Sequence, residues 1–241
     1  MDRTGHQPFP QTRWTLIAKS SDVDGQTRTK ALTELCELYW PPVYAFVRSR
    51  GQSPHDAEDL VQGFFARLLE RSDFACVDES RGRLRTFLLS AVTNYMNTAW
   101  EKETRQKRGG GRVILSLDDT TAESLVHLPE PTDDLTPDRI FERQWALTLL
   151  DQVFTQLRQR YEENGKLTLF NALQGTLTPV GLDRPMADIA TELDLTLSNL
   201  KVASHRLRQR YATLLRETLA DTLTEGEDPD EELAHLITNF G

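Results

Sequence analysis

Cysteine is scarce: Cys36 and Cys76 are the two in 241 residues, far apart and set inside apolar patterns. They read as small buried hydrophobes, and no disulfide framework is expected. The five histidines are scattered, and no Cys/His cluster has zinc-ligand spacing, so no metal or other cofactor is expected. No apolar run approaches the length of a bilayer span, which argues against a membrane-embedded protein. The polar, proline-containing stretch from Met1 to Pro10 lacks the charged-then-apolar order of a signal peptide. The chain is therefore expected in the cytoplasm. Strand-like alternation longer than a few residues is missing, as is any repeat at a solenoid period. A catalytic constellation is missing too. Asp56, Glu58 and Asp59 form the densest carboxylate group, but they read as first-turn acids complementing a helix dipole, without a His or Lys partner at helical spacing.

What the chain does contain is helical periodicity. Ala31, Leu32, Leu35 and Leu38 keep helical spacing; Pro41 and Pro42 are expected to interrupt it and to start a new helix carrying Val43, Phe46 and Val47. Ser53-Pro54 supplies the next start, followed by the stripe Leu60, Val61, Phe64, Phe65, Leu68 and Leu69. A further helix is expected over residues 83–107, with Leu84, Phe87, Leu88, Ala91, Val92 and Tyr95 inward. Gly109 to Gly111 close this block, and an acidic, proline-bearing linker over 111–135 follows. Thr136-Pro137 then opens a second block with Phe141, Trp145, Leu149, Val153 and Leu157 on one face. The expected class is all-α, with two helical domains at 13–110 and 136–220 and an acidic extension at 221–241.

The net charge of −9 conceals segregation. Cations gather in Arg81 to Arg112 and Lys201 to Arg216, and acids in Asp118 to Glu142 and Asp221 to Glu232. Screening acts over about 10 Å, so such islands act locally whatever the average. The second island lies in a helix-turn-helix pattern over residues 185–210. Met186, Ile189, Ala190 and Leu193 face inward, Asp194 takes the turn, Leu195 plugs the junction and Thr196 caps the second helix. Leu200, Ala203, Leu207, Tyr211 and Leu214 point into the core. The opposite side carries Ser198, Asn199, Lys201, Val202, His205 and Arg208, which with Thr196 make the candidate DNA-reading set. Short polar groups near a helix N-terminus suit base edges in the major groove, and cations further along suit phosphates. In the first island, Arg81, Arg83, Arg85, Asn94, Tyr95, Trp100, Lys102, Arg105, Lys107 and Arg108 interleave cations with rings. That combination suits unstacked or single-stranded nucleic acid, with Trp100 expected to be exposed and Phe87 in the core.

The run Asp56-Ala57-Glu58-Asp59-Leu60-Val61-Gln62-Gly63-Phe64-Phe65 resembles the signature of RNA polymerase sigma factors of the extracytoplasmic-function group. The likeness continues through Leu84 to Asn94 and Arg105 to Arg108, and resumes at Leu195 to Arg208. It is similar in particular to planctomycete-type variants in Trp40-Pro41-Pro42, in Lys107 to Gly111 and in the acidic extension. The resemblance implies a transcription initiation factor and not an enzyme. Asp56, Glu58, Asp59, Gln62 and Phe65 would then bind the clamp helices of the largest subunit of core RNA polymerase. The helix after Arg83 would recognise and melt the −10 element, with Asn94 near a flipped base. The second domain would read the −35 element and touch the polymerase flap, and the resemblance admits an anti-sigma or other regulatory partner. Two departures stand out: Gly63 replaces an acid, and Asp194 replaces a turn glycine.

A competing reading is a transcription regulator that binds duplex DNA through its second domain without polymerase. A purely structural helical protein would leave both basic islands unexplained. The stripe Leu233, Leu236, Ile237 and Phe240 after the acidic run is expected either to fold back on the second domain or its basic face and restrain DNA binding, or to serve as a simple packing extension.

Overall fold

The computed structural model describes residues 25–70, 84–107, 135–178, 180–223 and 227–240, and all regular structure among them is helical. The elements are α1 (Gly25–Ser49), α2 (Pro54–Glu70), α3 (Leu84–Lys107), α4 (Pro137–Glu163), α5 (Leu167–Leu173), a 3-10 turn (Gln174–Leu177), α6 (Met186–Glu192), α7 (Leu197–Ala220) and α8 (Pro229–Phe240). The chain is all-α. The linker expected at 111–135 lies outside the described residues except at its last position.

Two compact units divide the chain: Met1–Thr148 with Ala220–Gly241, and Leu149–Leu219. The start of α4, expected to open the second domain, thus belongs to the first unit, and so does α8. This corrects the expectation that the acidic extension folds onto the second domain.

In the first unit α2 packs on both α1 and α3. Pro41 and Pro42 do not end a helix; α1 runs through them, against expectation. Each proline removes an N–H, at a cost of about 3 kcal/mol in a helix interior. Tertiary burial offsets this cost, since Val43, Tyr44, Ala45, Phe46 and Val47 are all buried directly after the prolines. Trp40 and Tyr44 also stack across the site with ring centroids 5.0 Å apart. Gly51, at φ +84°, then terminates the helix where a side chain would be strained. Ser53 caps α2: its Oγ accepts from the Asp56 N–H at 3.2 Å and donates to the Asp56 carboxylate at 2.7 Å.

The expected stripes form the cores. Val61, Phe64, Phe65 and Leu68 are buried on α2, as are Leu84, Leu88 and Val92 on α3, while Phe87 stays half-buried. Along α4, Phe141 and Trp145 are buried in the first unit, and Leu149, Val153 and Leu157 in the second. The second unit adds Phe170, Ile189, Leu200, Leu207 and Leu214. Its close packing depends on Gly175, where a Cβ would strike the Gly181 carbonyl.

Between α6 and α7 the chain turns through Asp194 at φ 52°, the one non-glycine with positive φ among the described residues. Asp tolerates this region better than most side chains. Thr196 caps α7, its Oγ1 accepting from the Asn199 N–H at 3.1 Å. Leu195 does not plug the junction; it is 37% exposed. A backbone bond from its N–H to the Ala190 carbonyl, 2.9 Å, ties the turn instead.

Candidate nucleic-acid interface

In the first unit the face of α2 that the core leaves to solvent carries Asp56, Asp59 and Gln62, all exposed, with Glu58 half-buried. Phe65, expected among the contact residues, is buried with 5% exposure and edge-on to Phe64. Its place on the inward stripe decides this. His55 lies four residues before Asp59, and its Nε2 is 3.8 Å from that carboxylate. The carboxylate group therefore does have a histidine neighbour at helical spacing, contrary to the sequence reading. The pair sits on the surface, and among the described residues no group of three or more His, Cys, Asp or Glu is arranged to hold a metal ion.

On α3, Asn94 and Trp100 are exposed, Trp100 by 62%. Tyr95 is half-buried and packs edge-on to Phe64, with Arg67 over its ring at 5.9 Å. Gly63 lies beneath it: a Cβ there would clash with the Tyr95 hydroxyl. The glycine that departs from the signature thus makes room for a ring. Between α2 and α3 runs a groove of about 430 Å³ lined by Phe64, Arg67, Phe87, Ser90, Asn94 and Tyr95, among others. It offers aromatic faces beside an amide, a chemistry that accepts an unstacked base. Arg81, Arg83 and Arg108 lie outside the described residues, as do the side chains of Lys102, Arg105 and Lys107.

Arg85 corrects the expected set. It is 4% exposed and faces the interior of the unit. Its Nε lies 3.1 Å from the Glu142 carboxylate of α4, its Nη1 pairs with Glu232 of α8, and its guanidinium covers the Trp145 ring at 4.7 Å. Tyr39 adjoins this cluster. Burial pushes its hydroxyl well above the usual phenol range, while the Arg85 charge pulls the other way. Glu142 and Glu232 were legible only as members of acidic runs, and Trp145 only as core.

In the second unit Ser198, Lys201, Val202, His205 and Arg208 share an exposed face of α7, with Asn199 at its border and Thr196 at the cap. Residues 149–219 hold nine Lys and Arg against eight Asp and Glu, whereas the whole chain stands at −9. From Leu197 to Arg216 there is no acid at all. Arg206 and Arg210, missed from sequence, line a cleft of about 450 Å³ with Arg160 and Lys166. Arg210 Nη1 donates to the Tyr161 hydroxyl at 3.1 Å, which fixes one wall. The spacing of four between Arg206 and Arg210 was the available signal.

Residues 35–106, under a third of the chain, match the family model described as sigma-70 region 2. The match spans most of α1, all of α2 and nearly all of α3, and it supports a sigma-70 family member. No curated protein and no solved structure matches the chain. No helix among the described residues is long and apolar enough to cross a membrane.

Proposed function

We propose that this chain is a sigma factor of the extracytoplasmic-function, planctomycete-type group, which binds core RNA polymerase in the cytoplasm and directs promoter recognition and initiation without enzymatic activity of its own. The observation that carries this reading is the sigma-70 region 2 match over residues 35–106. Within it, exposed Asp56, Asp59 and Gln62 serve the polymerase clamp helices, with Glu58 beside them. The groove at Asn94, Phe87 and Tyr95 takes a base extruded from the −10 element, and exposed Trp100 stacks on the melted strand. Arg81, Arg83, Lys102, Arg105, Lys107 and Arg108 hold the backbone.

The face of α7 reads the −35 duplex. Ser198, Asn199 and Val202 approach base edges, while Lys201, His205 and Arg208 meet flanking phosphates. The basic cleft of Arg160, Lys166, Arg206 and Arg210 suits a polymerase segment with carboxylates beside apolar side chains, which is how we assign the flap contact. Transcription in vitro with purified core polymerase on a genomic promoter library tests the reading. Specific initiation that depends on this chain is expected. A chain that binds an operator duplex tightly by itself, and neither joins core polymerase nor directs initiation, would be a regulator instead.

A further inference from the structure

We infer that α8 is an internal competitor of promoter DNA, latched to the first unit through Arg85; the inference rests on the proposed promoter-binding role of that unit. Arg85 stands in the first turn of α3, shortly after Arg81 and Arg83 in sequence, within the basic island assigned to the promoter backbone. A cation in a helix's first turn opposes the helix dipole, and a buried guanidinium needs close partners. Glu142 and Glu232 both supply carboxylates. The Glu232 side chain is 1% exposed, and Leu236, one turn later, is also buried, so α8 is seated rather than lying on the surface.

Three features make the seat a latch. First, α8 brings a carboxylate to Arg85, at the start of the helix assigned to promoter DNA. Residues 217–241 contain no Lys or Arg, and seven acids fall between Asp221 and Glu232. The acids of α8 repel a polyanion while the helix stays docked. Second, α8 can leave without stranding a bare buried charge, because Arg85 retains Glu142 at 3.1 Å and Glu232 returns to water. Third, a helix of 12 residues is marginal in isolation, so α8 is stable only while seated and its release melts it. Docked α8 holds its carboxylates at the start of α3; undocked, it withdraws them while Arg85 stays paired with Glu142. Promoter DNA and α8 then exclude each other, and the affinity measured for DNA is lowered by the fraction of molecules still latched.

The test uses the full chain. Amide exchange of α8 is followed in wild-type protein with core polymerase, before and after adding a forked promoter oligonucleotide. Loss of α8 protection on DNA addition is expected. In parallel, Glu232→Gln keeps the side-chain shape while removing its charge, and is expected to bind the oligonucleotide about tenfold more tightly than wild type, as when roughly one molecule in ten is open at rest. Adding Arg85→Gln to Glu232→Gln is expected to bring no further gain, since both substitutions remove the same latch. If wild type directs initiation but α8 keeps its protection in the promoter complex, the latch is overturned and the sigma reading stands. Reduced thermal stability of Glu232→Gln with unchanged DNA affinity also overturns it, since a merely structural helix behaves that way. If wild type neither joins polymerase nor binds promoter DNA, both fall together.

Discussion

A Cβ at position 63 would meet the hydroxyl of Tyr95, which is itself held edge-on by Phe64 and covered by Arg67. Alanine there gains about 1 kcal/mol of helix propensity, but must displace a ring with little room to move. Gly63→Ala is therefore expected to lower stability in urea unfolding, and Tyr95→Phe in the same chain to recover most of the loss. Tyr39 gives a second prediction at this scale. Its folded-state hydroxyl titrates above the ordinary value of 10.0, chiefly because it is buried. The unfolded chain therefore releases that proton first as pH rises. The stability contributed by neutral Tyr39 is complete below about pH 10. It is lost progressively as pH climbs from there toward the folded-state value. Tyr39→Phe should flatten this alkaline loss in a series of thermal melts, and an unchanged slope would count against the assignment.

Helix ends decide matters at the next scale. The turn before α7 holds Asp194 at φ 52° and the cap Thr196 with its bond to the Asn199 N–H. Thr196→Ala removes the cap and is expected to cost about 1 kcal/mol. The loss should appear as faster amide exchange within residues 149–219, with α1 to α3 unaffected. Asp194→Gly removes the strain of a side chain in the left-handed region and is expected to be neutral or slightly stabilising. Asp194→Val should be destabilising at the same site. On the exposed face of α7, Lys201→Ala and Arg208→Ala touch no core. Under the proposed reading of this face, each is expected to leave the melting temperature unchanged and to reduce the salt slope of −35 duplex binding by about 1. A changed preference among sequences instead would mean that these cations read bases.

Across the whole molecule the division of cores departs from the division of sequence. The acidic linker looked like the domain boundary, yet α4 gives its first turns to one unit and the rest to the other. The chain returns to the first unit after α7, so the second unit is enclosed in sequence by the first. A cut placed at residue 136 is therefore expected to strip Phe141, Glu142 and Trp145 from the first unit. A fragment ending at 135 should show lower cooperativity in urea unfolding than one that also carries residues 137–148 and 220–241. Equal unfolding of the two forms would place the boundary at the linker after all.

The sequence determined the helical class, the inward stripes of α2, α3, α4 and α7, the Ser53 and Thr196 caps and the left-handed Asp194. Each of these follows from local geometry: a 3.6-residue period, a free N–H at a helix start, a side chain's tolerance of positive φ. The exposed faces of α2 and α7 followed as complements of those stripes. What required the tertiary structure is everything set by a partner distant in sequence. Burial after Pro41 and Pro42 outweighed two missing N–H groups and carried α1 through them. A ring from α3 gave Gly63 its reason. Arg85 stood in the sequence as one more cation of a basic island; only the arrival of Glu142 and Glu232 from α4 and α8 turned it inward, because a guanidinium leaves water when carboxylates from elsewhere in the chain replace its hydration.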